Sequence, residues 1–523
     1  MRWSAQTRPV WIAFAAVFVL GIVVFGFALR HETKLQLSES QAVKGALADP
    51  DVASWLKAYP PTRADVIPLD RENARVSFFK GQRAVAEVAV SPQGQVIAAQ
   101  YLGDDYIRAG GPTIQKAFVL AVGALLFLLL LARRPFASIQ NADLLALALL
   151  TFTIWSVNQR LFGATMIVGV ALMAYLLARC LFVAARPAAG GSLEFLVSFG
   201  ENETRLLRLI AGAIALLAAM AAIPGGRVGD VAEASMSGAT QLLDGNVPYG
   251  HIMEGIVHGD TYPVFAYLLY APAALIMPVH DLFDNIDGAL WISAIALIAG
   301  AVALLKAGRA AADEAFGLRN AAAWLIFPPA LVAASAGSND LPTAGLIAWS
   351  IAAWAHAGRT STWMSAAAWA KVAPVFVLPL WLARFRGTAL RRALIPPVVL
   401  TLAMLALLLA LGGASSVHKM IDAIAFQSDR GAQLSFWVVT SAPALQVAVQ
   451  AAGFALAAAA AVAVWRSERL AASLPRLSAL AAALLLAFEI GASYWSYAYL
   501  PWVYPLVVVG LLWPAARERA ASD

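Results

Sequence analysis

The chain has 523 residues, enough for three or four soluble domains at roughly 150 residues each. Composition excludes that arrangement: 61% of residues are hydrophobic, 13% are charged and mean hydropathy is +0.72, against roughly 45–50% and about 25% in soluble proteins. Thirty-seven Lys and Arg against 31 Asp and Glu leave a charge of +6, which in so apolar a chain anchors membrane helices and does not point to nucleic acid.

The first apolar stretch, Trp11 to Leu29, follows Arg2 and Arg8, is too long for a signal peptide and has no small-residue cleavage site behind it. It reads as a retained anchor, residues 1–32. Residues 33–113 alone have soluble composition. Ser38 is placed to cap a helix, and residues 51–58 continue helical until Pro60 and Pro61. Alternation over 75–79 and 84–90, then 96–99 after Pro92-Gln93-Gly94, predicts three strands of a small helix-plus-meander module. The run AEVAVSPQGQVI and the helices before it resemble a PepSY-type domain.

Apolar stretches of spanning length follow at 114–132, 141–157, 163–184, 206–224, 288–306, 319–336, 341–357, 393–412, 444–465, 474–491 and 500–514, making twelve with the first. The fold class expected is an all-α polytopic membrane protein with a small α+β extracytoplasmic domain. The loops rich in Lys and Arg, including Arg133-Arg134, Arg359, Arg384 to Arg392 and the tail at 515–523, fall on one side under a single alternation. Both termini are therefore expected in the cytoplasm, and 30–113, 225–287, 413–443 and 492–499 outside. One segment needs special treatment. Residues 362–383 are apolar but basic at both ends, and Lys371-Val372-Ala373-Pro374 interrupts them, so they are expected to enter and return as a re-entrant pair. Pro263 to Val279 is expected to lie as a helix along the outer surface. The lone cysteine, Cys180, can form neither a disulfide framework nor a cysteine metal site.

Several polar residues stand out. Asp230 follows a span by a few residues, where partial desolvation suits a carboxylate for base work, although Asp before an alanine-rich run is also a common N-cap. The helix from Val231 to Leu243 is expected to stop at Asp244-Gly245-Asn246. His251, Glu254, His258 and Asp260 are irregularly spaced and match no ligand pattern, so no metal or other cofactor is expected. Lys371 lies mid-segment, where a charge costs about 2.5–3.5 kcal/mol and marks a cavity or a buried partner such as Glu489. Arg430 offers a fork suited to phosphate, and His418 precedes it in the same loop; either could instead meet anionic lipid head groups. Asn339 and Asp340 could bind sugar hydroxyls or cap the following span. Tyr494, Trp495, Tyr497, Tyr499 and Trp502 cluster at the end of the last hairpin, where aromatic faces stack on sugars or form an interfacial belt.

Asp230, the DGNVPYG turn, YPVFAYLLYAPAALIMPV, AASAGSNDLPTAGL, AAAWAKVAPVFVLPLWLARFRG, AIAFQSDRGAQLSFW and SYWSYAYLPWVYPL, in that order, resemble the GT-C superfamily of membrane glycosyltransferases. The nearest pattern is the polyprenyl-phosphate-sugar-dependent, mannosyltransferase-like family 87, over 206–514; the helices of 114–205 are an addition. The resemblance implies transfer, with inversion, of a mannose-like or arabinose-like sugar from a polyprenyl-phosphate donor to a lipid or glycan acceptor at the outer face. By position Asp230 would be the base, Lys371, Arg430 and His418 would hold the donor phosphate, and Tyr249, His251, Glu254, Asn339, Asp340 and Tyr497 would line the substrate site. A transporter or lipid flippase, or a non-catalytic membrane scaffold, would also use a buried lysine in a broken helix. Transporters commonly show internal repeats, and 1–205 does not mirror 206–514.

Overall fold

The structure, a computed structural model, describes residues 37–68, 73–80, 83–101, 117–158, 162–186, 194–221, 230–252, 259–280, 284–429, 435–440 and 442–514. The expected anchor at 11–29 lies outside the described residues.

The soluble segment forms two helices and a four-stranded antiparallel sheet. Helix α1 (Glu39–Ala48) begins with a capping box in which Ser38 and Gln41 satisfy each other's backbone, and α2 (Pro50–Ala58) is capped by Asp49. The sheet order is β1 (Arg63–Pro68), β2 (Ala74–Lys80), β3 (Arg83–Val90) and β4 (Val96–Tyr101). Val76, Phe78, Val88 and Val90 turn inward against Ala42, Ala46, Val52 and Leu56 of the helices. Strand β1 is the one the alternation did not reveal: RADVIP carries two charges and ends in proline, which suits an edge strand and masks the apolar period.

The remainder is helical. In order come α3 (Ala117–Leu131), α4 (Ile139–Leu149), α5 (Thr151–Asn158), α6 (Phe162–Ala185), α7 (Glu203–Ala221), α8 (Asp230–Leu243), α9 (Val264–Leu268) and α10 (Ala271–Ala274). Then follow α11 (Asp287–Ala311), α12 (Glu314–Ile326), α13 (Pro328–Ser335), α14 (Asp340–Ala352), α15 (Ala357–Ala370) and α16 (Leu378–Leu382). The chain ends with α17 (Gly387–Asp429), α18 (Phe436–Thr440), α19 (Pro443–Arg466), α20 (Glu468–Ala472), α21 (Leu474–Gly491) and α22 (Leu500–Leu512).

The expected count of twelve spans is corrected here. Among the described residues, six stretches are long and apolar enough to cross a membrane: Ile139–Val157, Thr165–Ala185, Asp287–Ala311, Gly387–Phe426, Pro443–Arg466 and Leu474–Gly491. The expected span at 319–336 is two helices bent by 53°, because Pro328 and Pro329 cannot donate backbone hydrogen bonds, and it would make a seventh if counted as one. The helices at 340–352 and 500–512 are shorter than the apolar runs that suggested them, the described part of the one at 117–131 covers 15 residues, and the one over 203–221 opens with Glu203, Arg205 and Arg208. The expected surface helix from Pro263 to Val279 is instead two short helices, α9 and α10, packed on α8. A Cβ at Gly238 of α8 would stand 2.6 Å from Tyr267 Cε1, so only glycine admits that ring.

Two helices lie at the periphery. The apolar windows of Gly387–Phe426 and Pro443–Arg466 are each only 11% buried, against 78% for Leu474–Gly491, as suits surfaces turned to lipid. Helix α17 kinks at Gly412 and Gly413, the latter at φ 65°, a conformation that disfavours a side chain. Near α3, α7 and α12 the guanidinium of the fully buried Arg319 takes both Glu203 Oε1 and the carbonyls of Leu130 and Val197, and rests 4.1 Å from the Phe195 ring. Each of these bonds is charge-assisted, because the guanidinium carries the positive charge.

Candidate functional site

The site starts from a broken helix. Pro374 cannot donate to the carbonyl of Ala370, so α15 ends at Ala370 and Lys371 takes an extended conformation, φ −146° and ψ 148°. A short 3₁₀ turn, Ala373–Phe376, reverses the chain into α16. The return is fixed by side chains: Trp381 Nε1 donates to Thr360 Oγ1 at 2.8 Å, and Arg384 donates to the Trp354 carbonyl at 3.1 Å while its guanidinium stacks on that indole. The segment 357–384 thus doubles back, with Lys371 at its turn.

Lys371 is 6% exposed and faces Asp340, its Nζ lying 3.1 Å from Oδ1. That oxygen makes no aligned hydrogen bond among the described residues, so the ammonium meets it as a charge more than as a directed donor. Asp340 is the first residue of α14, and its Oδ2 accepts a short hydrogen bond from the Ser338 hydroxyl. Neither Asn339 nor Asp340 caps that helix with its side chain; Asn339 Nδ2 reaches Ser235 Oγ on α8 at 3.3 Å instead. The alternative pairing of Lys371 with Glu489 is not formed. Glu489 Oε2 accepts from Trp495 Nε1 at 3.1 Å.

A cavity of about 320 Å³ opens beside Lys371. Tyr262, Tyr494, Tyr499 and Trp502 wall its polar end, where the Tyr262 ring centroid is 4.4 Å from Lys371 Nζ and Trp502 stacks on Tyr499 at 4.4 Å. Its other walls are mainly apolar, with Phe376 after the break, Phe454 and Ala457 of α19, and Leu484 and Phe488 of α21, and they also include Gln450 of α19. Ile424 of α17 completes it. Helix α17 packs on α15 and α19 on α21, with no extended interface between the two peripheral helices. The arrangement has the chemistry of an amphiphile site: one cation and aromatic faces at one end, a hydrocarbon slot at the other.

The structure brings together only part of the expected set. Lys371, Asp340 and Asn339 are neighbours. Tyr249 is buried one layer away, where its hydroxyl donates to the Tyr262 carbonyl at 2.9 Å, so it supports the cavity wall without lining it. Tyr497 points elsewhere and packs against Leu120, Ile154 and Val332. His251 is exposed, and His418 is exposed and paired with Asp422 at 3.7 Å on its own helix. Helix α8 stops where expected, its Asp244 followed by Gly245 at φ 83°. Asp230 is the first residue of α8, five residues or about 7.5 Å of helix before Ser235. Glu254 and Arg430 lie outside the described residues. Sequence reasoning missed Tyr262, Phe376, Phe454 and Phe488. Tyr262 carried a signal, since Tyr-Pro opens a helix there, but phenylalanines in apolar helices look alike whether they face lipid or a cavity.

Fold and site together define a helical membrane protein with a small α+β unit and a cavity lined by Lys371, whose ammonium pairs with the buried Asp340. No family model, no curated protein and no solved structure matches the chain.

Proposed function

We propose that the chain is an integral-membrane glycosyltransferase of GT-C type that moves a mannose-like or arabinose-like sugar from a polyprenyl-phosphate donor to a lipid or glycan acceptor at the outer face. One observation carries the reading: a lysine stands where an aromatic-walled chamber meets an apolar slot, which is the layout a prenyl phosphate sugar demands. In this reading the prenyl tail occupies the slot beside Phe376, Phe454 and Phe488, and Lys371 neutralises the phosphate as it leaves. Tyr494, Tyr499 and Trp502 then offer faces to the sugar. The doubled-back segment 357–384 is the re-entrant pair of such enzymes, both termini are cytoplasmic, and the PepSY-like unit lies outside.

Asp230 is the proposed base, at the head of the helix whose Ser235 contacts Asn339. It would take the acceptor proton as the acceptor oxygen attacks the anomeric carbon with inversion. The decisive experiment supplies radiolabelled polyprenyl-phosphate mannose or arabinose and a lipid acceptor to the full chain in lipid nanodiscs. Labelled product that disappears in Asp230→Asn supports the assignment. Full activity in that variant removes Asp230, and donor translocation across a vesicle without product favours a transporter instead.

A further inference from the structure

We propose that the apolar slot is a gauge for the donor lipid: it holds the two isoprene units next to the phosphate and turns the rest of the tail out past Phe454 into the bilayer. The inference rests on the transferase reading, from which it takes a prenyl chain whose phosphate lies at Lys371. Helices α19 and α21, joined through the short α20, pack on each other, and Gln450 Nε2 donates to the Gly491 carbonyl at 3.0 Å, with Gln446 Nε2 reaching the same oxygen at 3.3 Å. That contact sets an antiparallel register. Gln450 lies opposite Gly491, Gly453 opposite Phe488 and Ala457 opposite Leu484, and all six line the cavity. The span from Gln450 to Ala457, matched by that from Gly491 to Leu484, is about 10.5 Å of helix. An isoprene unit advances a chain by four carbon–carbon bonds of about 1.5 Å in a zigzag, about 5 Å, so this depth takes about two units.

A floor and a mouth fix that depth. Beyond Ala457 and Leu484 the same register sets Ala460 against Ala481, then Val464 against Leu477; all four are buried in the main core, so the seam between the helices is filled there. A longer chain has no room to continue along it. Phe454, by contrast, lines the cavity and is 62% exposed, on a helix whose apolar window is only 11% buried, so the slot opens to lipid at that ring. The Phe376 ring lies 5.1 Å from Phe454 and 5.2 Å from Phe488, which puts aromatic faces on the walls midway along the slot. A prenyl unit passing from bilayer to slot exchanges one apolar surrounding for another and gains little from the hydrophobic effect. Discrimination between tails therefore comes from van der Waals contact with these walls, and units that have left the slot make none.

The test is photolabelling of the full chain in lipid nanodiscs with geranylgeranyl phosphate carrying a diazirine on its first, second or fourth isoprene unit, followed by peptide mapping. Labels on the first and second units are expected on Phe376 and on residues 450–457 and 484–491, whereas the label on the fourth unit is expected on nanodisc lipid. In Ala457→Phe the four-unit probe should lose its slot labelling, while dimethylallyl phosphate with a diazirine on its single unit keeps it. A fourth unit that labels buried residues of the chain as strongly as the second overturns the proposal, whatever the fate of the variant. So does a second unit that labels neither helix, or a four-unit probe that labels the slot unchanged in Ala457→Phe. Sugar transfer from a polyprenyl-phosphate donor with labels placed elsewhere removes the gauge alone; the expected labels without any sugar transfer keep the gauge and remove the transferase reading.

Discussion

Trp381 and Thr360 are joined by a 2.8 Å hydrogen bond across the two limbs of the broken helix, and Thr360 in turn donates to the Ser350 carbonyl at 2.7 Å. All three residues are buried, so the chain of bonds ties the doubled-back segment to α14, whose first residue is Asp340. Trp381→Phe keeps an aromatic ring but removes the donor and part of a fully buried indole. It is expected to cost about 2–3 kcal/mol in thermal unfolding and to weaken binding of a lipid phosphodiester, because the turn carrying Lys371 is less firmly held. Unchanged affinity with lowered stability would separate the tie from the site.

Removing one member of the Lys371–Asp340 pair leaves the other charge buried without balance. Lys371→Met should therefore destabilise the chain by about 3–5 kcal/mol, and Lys371→Met with Asp340→Asn should recover most of that. Donor binding should stay lost in both. Unfolding midpoints and lipid-phosphate titrations on the single and double variants distinguish a stability role from a binding role.

The slot can be filled from its wall. Ala457→Phe projects a ring into the cavity opposite Phe376 and is expected to abolish donor binding while the midpoint of unfolding moves by little, since the space is already empty of protein. A short-chain donor that fits the shortened slot should regain activity in this variant, and equal loss for long and short donors would place the tail elsewhere.

Arg319 makes bonds that lysine cannot reproduce. Arg319→Lys keeps the charge but loses the fork to Glu203 and one or both carbonyl contacts, for an expected cost of about 2–3 kcal/mol. The loss should appear in unfolding measurements with sugar transfer per folded molecule unchanged, because the cluster is far in sequence and packing from Lys371.

In the soluble unit, partial burial, followed by the charges of Asp49 and Asp51, pushes the Tyr101 phenol above its ordinary value. A group whose folded pKa is raised contributes stability that is present below the unfolded value of about 10 and is lost as pH climbs through the folded one. The unit should therefore weaken on the alkaline side, and Tyr101→Phe should flatten that part of the profile. Denaturation followed from about pH 8 to about pH 11 checks it.

Local chemistry sufficed for much of this protein. An apolar content of 61% already meant lipid, Ser38 announced a capped helix, Asp244-Gly245 announced the stop of α8, and Lys371 to Pro374 announced a break, because each depends on neighbours within a turn or two. What lay beyond that range was decided by packing. The partner of Lys371 is Asp340, thirty-one positions earlier, and not Glu489, because α14 and not α21 brings its carboxylate to the break. Packing also turned Tyr499 and Trp502 into the cavity and Tyr497 out of it, and divided apolar runs such as 319–336 into bent halves. Hydrophobicity records that a side chain leaves water; only the arrangement of helices determines whether it meets lipid, a neighbouring helix or a ligand.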